Sequence, residues 1–381
     1  MKKTLAAVAV LGAFAGSALA ADVQLYGVVD TGLRYTHFDG DAAAAGYDAV
    51  DKFEMKSGQQ SGSRFGFKGT EDLGNGLTVG FILENQFNSD DGSLSDSDHF
   101  FRREASLFLE GGFGKIAMGR IGSINNGVSS WAQFGMLSAF GTSWDYSAQM
   151  GTWAVGAGIW DNMIAYQTPT FAGFTVYAQY GMGSNNNENE SSSDRYYALG
   201  AKYANGPLNL YLAVDSINYQ TADLTAGVNA DDIDDSLTVT FGGNYDFEVV
   251  KLFAGAQYYD EAKISTAFGL LDSADYNAQT YAGKFKGWSL GVSASIPAAG
   301  GQVLVGAGYM DAEAADSQKA AKDDELTRWV VSAGYDYPLS KRTNVYGILT
   351  YAQDSLDYTD TAAKDQDPTV FAAMIGLRHK F

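Results

Sequence analysis

The chain has 381 residues, with 45 glycines, 5 prolines and no cysteine, and 45 Asp and Glu outnumber 25 Lys and Arg for a net charge of −20. The lack of cysteine excludes a disulfide scaffold, thiol catalysis and a thiolate zinc site. The acidic balance argues against nucleic-acid binding, which needs Lys and Arg at phosphates, and a hydrophobic content of 46% argues against disorder.

The first element is a secretory signal over residues 1–20. Lys2 and Lys3 form a positive start, Leu5 to Phe14 an apolar stretch, and Ala18-Leu19-Ala20 a small-x-small cleavage site. Residues 21–381 read as a single domain. No later stretch approaches the ~18 apolar residues of a spanning helix. The exported chain is therefore either soluble outside the cytoplasm or crosses a membrane as a closed barrel. Only closure satisfies the backbone N–H and C=O groups of strands in hydrocarbon.

From Ala21 onward the hydrophobic pattern alternates. Leu208, Leu210, Leu212 and Val214 lie on one face, with Tyr211, Ala213 and Asp215 on the other. Phe371, Ala373, Ile375 and Leu377 oppose Ala372, Met374, Gly376 and Arg378 at the end of the chain. Short connections such as Asn205-Gly206-Pro207 and Pro338–Thr343 alternate with long polar ones, including Asp39–Gln60, Asn88–Asp98 and Gln220–Asp235. Short turns on one side and long polar loops on the other suit a transmembrane barrel. The spans give an all-β, 16-stranded antiparallel barrel, the second strand placed at 61–71. At that size side chains cannot fill the interior, which stays aqueous. Tyrosines and tryptophans near strand ends suit an interfacial girdle.

One connection, residues 121–157, breaks the rhythm. It is long and apolar, with Trp131, Phe134, Leu137, Phe140, Trp144 and Trp153. Such a segment packs on something, and in a wide barrel the expected place is the lumen, where it narrows the pore. Candidate constriction charges are wall residues whose parity points inward: Arg34, which shares a face with Asp30, Arg64 and Lys68, Glu84, and one of Arg102 and Arg103. A cation on the lipid face would cost ~2–4 kcal/mol at the midplane. Asp145 is the acid of the loop. Three histidines, His37, His99 and His379, leave little for imidazole catalysis or metal binding, and no serine elbow is visible. No enzyme activity, metal or cofactor is expected.

Several stretches resemble the general porins of Gram-negative bacteria. They include Gly62-Ser63-Arg64-Phe65-Gly66-Phe67-Lys68-Gly69-Thr70-Glu71-Asp72-Leu73-Gly74-Asn75-Gly76-Leu77, the run Met118-Gly119-Arg120, and the ending Gly376-Leu377-Arg378-His379-Lys380-Phe381. The likeness extends from residue 23 to 381. It implies a homotrimer of sixteen-stranded barrels in the outer membrane, in contact with membrane lipid and lipopolysaccharide. It implies passive diffusion of ions and small hydrophilic solutes, with the segment after Arg120 as a third external loop inside the lumen. It places Arg64 and Arg103 on the basic side of the constriction, and Phe381 as the terminal aromatic read by the barrel-assembly machinery. Two positions depart from the family pattern. Ile159 stands where relatives often have arginine, and Gln133 precedes Phe134-Gly135 where many loops carry glutamate. Two readings from other classes compete, a barrel enzyme with His37 or His99 at its rim and a soluble secreted β-rich adhesin.

Overall fold

The computed structural model describes residues 22–39, 49–142, 144, 151–153, 158–183, 194–219, 234–262, 284–316, 325–357 and 367–381. The signal segment and Asp145 lie outside these residues. Seventeen strands form one antiparallel sheet: β1 (Asp22–Asp39), β2 (Ala49–Ser57), β3 (Arg64–Gly74), β4 (Leu77–Gln86), β5 (Glu104–Gly111), β6 (Gly114–Gly122), β7 (Ile159–Gln167), β8 (Phe174–Gly181) and β9 (Arg195–Asn205) are followed by β10 (Leu208–Asn218), β11 (Leu237–Asp246), β12 (Lys251–Ala262), β13 (Phe285–Ala298), β14 (Gly301–Ala314), β15 (Glu325–Pro338), β16 (Thr343–Asp357) and β17 (Thr369–Lys380). From β3 onward each strand pairs with its sequence neighbour, and β17 returns to β1 along Val28–Asp39. The result is a closed barrel.

The barrel has sixteen positions because β2 and β3 share one. The lower part of β1 pairs with β3, from Asp22 opposite Thr70 to Val28 opposite Arg64, and the upper part pairs with β2, from Thr31 opposite Ser57 to Asp39 opposite Ala49. The sequence places 39–60 in a loop, but Ala49–Ser57 is a strand. Charges sit on both faces of this segment, which hides its alternation from a hydrophobicity count, and its partner is the preceding strand in sequence.

Between β2 and β3, residues 58–63 leave the ladder, with Gly58 at φ +71°. Asp30, which pairs with Arg378 of β17, thereby lacks a ladder partner on its other side. Neighbouring groups replace it: Asp30 N–H donates to Ser63 Oγ (3.0 Å), and the Asp30 carbonyl accepts from Gly58 N–H (2.8 Å) and Ser89 Oγ (2.8 Å). This satisfies buried backbone groups that would otherwise be costly. A second irregularity lies where the β6–β7 register shifts after Gly119. Gly119 has φ +134°, and a Cβ there would meet the Ala105 carbonyl oxygen at 2.1 Å, so only glycine fits.

The two faces of the wall differ in kind. Along β17, Ile375 is 64% exposed while Ala372 and Met374 are buried. Along β10, Leu212 and Val214 are exposed while Tyr211, Ala213 and Asp215 are buried. Along β15, Trp329 and Val331 are exposed while Arg328, Val330 and Ser332 are buried. Exposed apolar side chains therefore form the outer face of these strands, as in a lipid-embedded barrel, while the inward rows mix polar and apolar residues. This outward row also speaks against a soluble β-sandwich, which buries its apolar face.

Candidate pore constriction

Arg64 opens β3, and the period of two puts Gly66 and Lys68 on its face and Phe65 and Phe67 on the other. Arg64 Nη1 donates to Ser61 Oγ and to the Gly62 carbonyl, both at 2.9 Å, so the inward fold of residues 58–63 holds the guanidinium in place. Its Nε lies 3.6 Å from Glu84 Oε2. Glu84 faces Gly66 across the β3–β4 pair. Its other oxygen accepts from Arg103 Nε at 2.5 Å, and Arg103 Nη1 donates to Gln86 Oε1 at 3.0 Å. Of the two adjacent arginines, Arg103 joins this cluster. Arg102 instead donates to Ser95 Oγ (3.3 Å) and lies 3.8 Å from Asp96.

Two guanidiniums thus share one carboxylate. The Arg103 contact is a charge-assisted hydrogen bond, short and strong because both partners are ionised, while Arg64 stands off as an ion pair at 3.6 Å. Lys68 lies farther toward the turn end, exposed, with Nζ 5.3 Å from the centre of the Tyr26 ring.

Arg34 stands apart. It pairs with Glu54 of β2 through Nε (3.0 Å) and Nη2 (2.5 Å). Val28 of β1 faces Arg64, so Arg34 is six residues farther along that strand, on the order of 20 Å away at the usual strand rise. Asp30 shares the face of Arg34 but does not pair with it. Its carboxylate accepts from the Gln60 and Ser61 N–H groups (2.9 and 2.7 Å) and from Tyr346 OH (2.5 Å). The structure therefore unites Arg64, Glu84 and Arg103, and leaves Arg34 and Lys68 outside that cluster. Gln133 bonds within its own segment, donating through Nε2 to the Trp131 carbonyl (3.3 Å).

The segment after β6 packs against the wall. Trp131, Phe134, Leu137, Phe140, Trp144 and Trp153 are all buried. Phe134 meets Trp153 edge-on at 5.1 Å, and Trp144 meets Tyr346 of β16 at 5.3 Å. Ala139 N–H donates to Ser293 Oγ (2.9 Å), Asn244 Nδ2 to the Met136 carbonyl (2.9 Å), and Tyr211 OH to the Ile124 carbonyl (3.1 Å). Arg328 is held bidentately by Asp354 (2.6 and 2.7 Å) and donates to the Gly151 carbonyl (2.8 Å).

Sequence reasoning missed the anchor nearest the charge cluster. Glu104, 1% exposed, accepts from Ser130 N–H (2.7 Å), Ser130 Oγ (2.9 Å) and Ser106 Oγ (2.8 Å). The parity of Ser106 and Phe108, both buried, was the available signal.

In the connection from β4 to β5, Asp91 accepts from Ser93 N–H (2.8 Å) and Ser93 Oγ (2.7 Å), which hold its carboxyl below the usual carboxylate range. At Asp96 partial burial pushes the carboxyl up, but N–H donors of Asp98 and His99 outweigh it and the net shift is downward.

Known proteins share this architecture. A profile described as Gram-negative porin matches residues 6–357. An outer membrane porin protein of Bordetella pertussis is 34% identical over 417 residues, covering 100% of both chains. Outer membrane porin protein 32 of Delftia acidovorans is 32% identical, covering 93% of this chain and 90% of its own length. Among solved structures, the anion-selective porin from Comamonas acidovorans superposes with a TM-score of 0.68 at 26% identity, covering 95% of this chain and 100% of that one. OmpT of Vibrio cholerae, at 16% identity and a TM-score of 0.60, shares the fold. With its apolar outer face and closed ring of strands, the chain belongs to the Gram-negative porin family and is a channel protein of the bacterial outer membrane.

Proposed function

We propose that this porin is a general diffusion pore narrowed by residues 121–157, passing ions and small hydrophilic solutes down their gradients and favouring anions at its narrowest point. The observation that carries the reading is the pair Arg64 and Arg103 on the single acid Glu84, next to the segment tied down by Glu104. Glu104, which faces Glu84 across the β4–β5 pair, is taken up by Ser130 and Ser106 and pairs with neither guanidinium. The two guanidiniums sit on the polar face of the wall, where walls of low dielectric focus their field. The packing of Phe140 and Trp144 on wall residues that alternate with exposed apolar ones supports a position of the loop inside the barrel. The anion selectivity of the Comamonas acidovorans porin accords with this reading. Passage through such a pore is passive and calls for no catalytic step.

Residues 1–20 are proposed to be removed on export, leaving 21–381 as one barrel domain that assembles as a homotrimer among lipid and lipopolysaccharide. Phe381 serves as the assembly signal. It exchanges two backbone hydrogen bonds with Gly27, both 3.1 Å. Its ring lies where a Cβ on Gly27 would sit, 2.3 Å from Cζ.

The test is a reversal potential in planar bilayers under a KCl gradient. Arg64→Ala is expected to move it toward cation preference, and no shift at low salt would assign Arg64 to structure alone. Deleting residues 130–146 is expected to raise conductance and admit larger sugars in liposome swelling. Unchanged swelling rates would refute the loop's place in the lumen.

A further inference from the structure

At the turn end of the barrel, a cavity of about 220 Å³ opens between the β15–β16 turn and the end of β17. Its lining includes four cations, Lys341, Arg342, Arg378 and Lys380, against one acid, Asp336. Asp336 already accepts from two amides, Gln60 Nε2 (2.9 Å) and Asn344 Nδ2 (2.6 Å). Arg378 Nε donates to the neutral Asn344 Oδ1 (3.0 Å). Among the described residues none of the four cations forms an ion pair.

Strand parity tells which way the cavity faces. Arg378 and Lys380 continue the row of Ala372 and Met374, whose side chains are buried, while Ile375 and Leu377 on the other row are exposed. Asn344 begins the buried row of Tyr346 and Ile348. The two β17 cations therefore point into the barrel, away from acyl chains. Register also ties the cavity to the constriction. Val28 of β1 faces Arg64 on one side and Lys380 on the other, so those two backbones are about 10 Å apart at the usual strand spacing.

We propose that this cavity is an anion subsite, distinct from the Arg64–Glu84–Arg103 cluster, that takes small solutes carrying two or more negative oxygen groups, such as phosphorylated compounds. The inference rests on the porin reading above. Four cations against one acid, itself taken up by two amides, leave repulsion that a multivalent oxyanion relieves, and Arg and Lys supply the charge-assisted donors it needs. A monovalent ion such as chloride would pass it more freely. The site would hold multiply charged solutes at the inner mouth, one strand away from the constriction.

The experiment uses the full-length protein in planar bilayers of zwitterionic lipid, with inorganic pyrophosphate added to each chamber in turn during KCl conduction. Wild-type channels are expected to show a pyrophosphate-dependent reduction of current that is stronger from one chamber. The double variant Lys341→Gln/Arg342→Gln, in an exposed turn, is expected to keep its KCl conductance and to need about tenfold more pyrophosphate for half-block. Arg378→Gln should shift block in the same direction. Equal half-block in wild type and both variants, or no block in conducting channels, would overturn the subsite while leaving the porin reading intact. Absence of any channel would sink both. Block that disappears when anionic lipid is added would show that lipid phosphate fills the cavity instead, and would also overturn the solute site.

Discussion

Arg328 shows how much one inward charge can cost when its partner is removed. It and Asp354 are both essentially inaccessible to solvent, and the same guanidinium holds the Gly151 carbonyl. Arg328→Met would leave Asp354 buried without its cation, a loss of about 3–5 kcal/mol. The expected outcome is a lower unfolding midpoint in denaturant, and an unchanged midpoint would mean that water reaches the carboxylate. At Gly119 the obstacle is backbone geometry. Alanine there would collide with the Ala105 carbonyl, so Gly119→Ala should slow refolding into detergent and lower heat stability. Acid acts on the β4–β5 connection. The carboxyls of Asp91 and Asp96 are held low in the folded state, so their contribution is present above the ordinary carboxylate value and lost as pH falls through the lowered one. Amide exchange at Ser93, Asp98 and His99 should accelerate with acid over that window, after correction for intrinsic rates. Protection that grew with acidification would contradict the assignment.

Individual strands were legible wherever one face is apolar. β10, β15 and β17 lie where alternation puts them, because lipid on one side and water on the other impose a period of two. β2 was not legible, since Val50, Phe53 and Met55 are interleaved with charges at Asp51, Lys52, Glu54 and Lys56. Its outer edge pairs with no described strand, so nothing forces an apolar face on it. Arg64, Glu84 and Lys68 could be placed by parity. The choice between Arg102 and Arg103 could not, because β5 begins only at Glu104 and residues before a strand have no fixed phase. The loop's apolar character was readable, but its anchors were not. Glu104, Asn244 and Ser293 are isolated polar residues on strands distant in sequence, and only closure of the ring brings them to one segment. Glu104→Gln keeps the shape yet removes the negative acceptor that ties down Ser130. It should raise open-channel noise in single-channel records, and noise equal to wild type would assign the loop's fixation to its aromatic packing.

Over the whole molecule, charge is partitioned. Positive groups collect around Arg64 and at the β15–β16 turn, while the sequence concentrates Asp and Glu in the long connections. These fields reach only as far as ions permit, about 10 Å at 0.1 M salt and about 3 Å at 1 M. The anion-to-cation permeability ratio should therefore approach unity as KCl is raised across that range. A ratio independent of salt would point to sieving by size.

Because β3 closes the ring against β1 while β2 rides above it, the hairpin formed by the top of β1 and β2 is a fringe on the cylinder. The hydroxyl-bonded seam at Ser57, Ser63 and Ser89 is where that fringe is stitched on. Chain length on the far side of the stitching can vary without disturbing the circumference below, so an affinity tag spliced between residues 40 and 48 should leave the heat-modifiable gel mobility of the folded barrel intact.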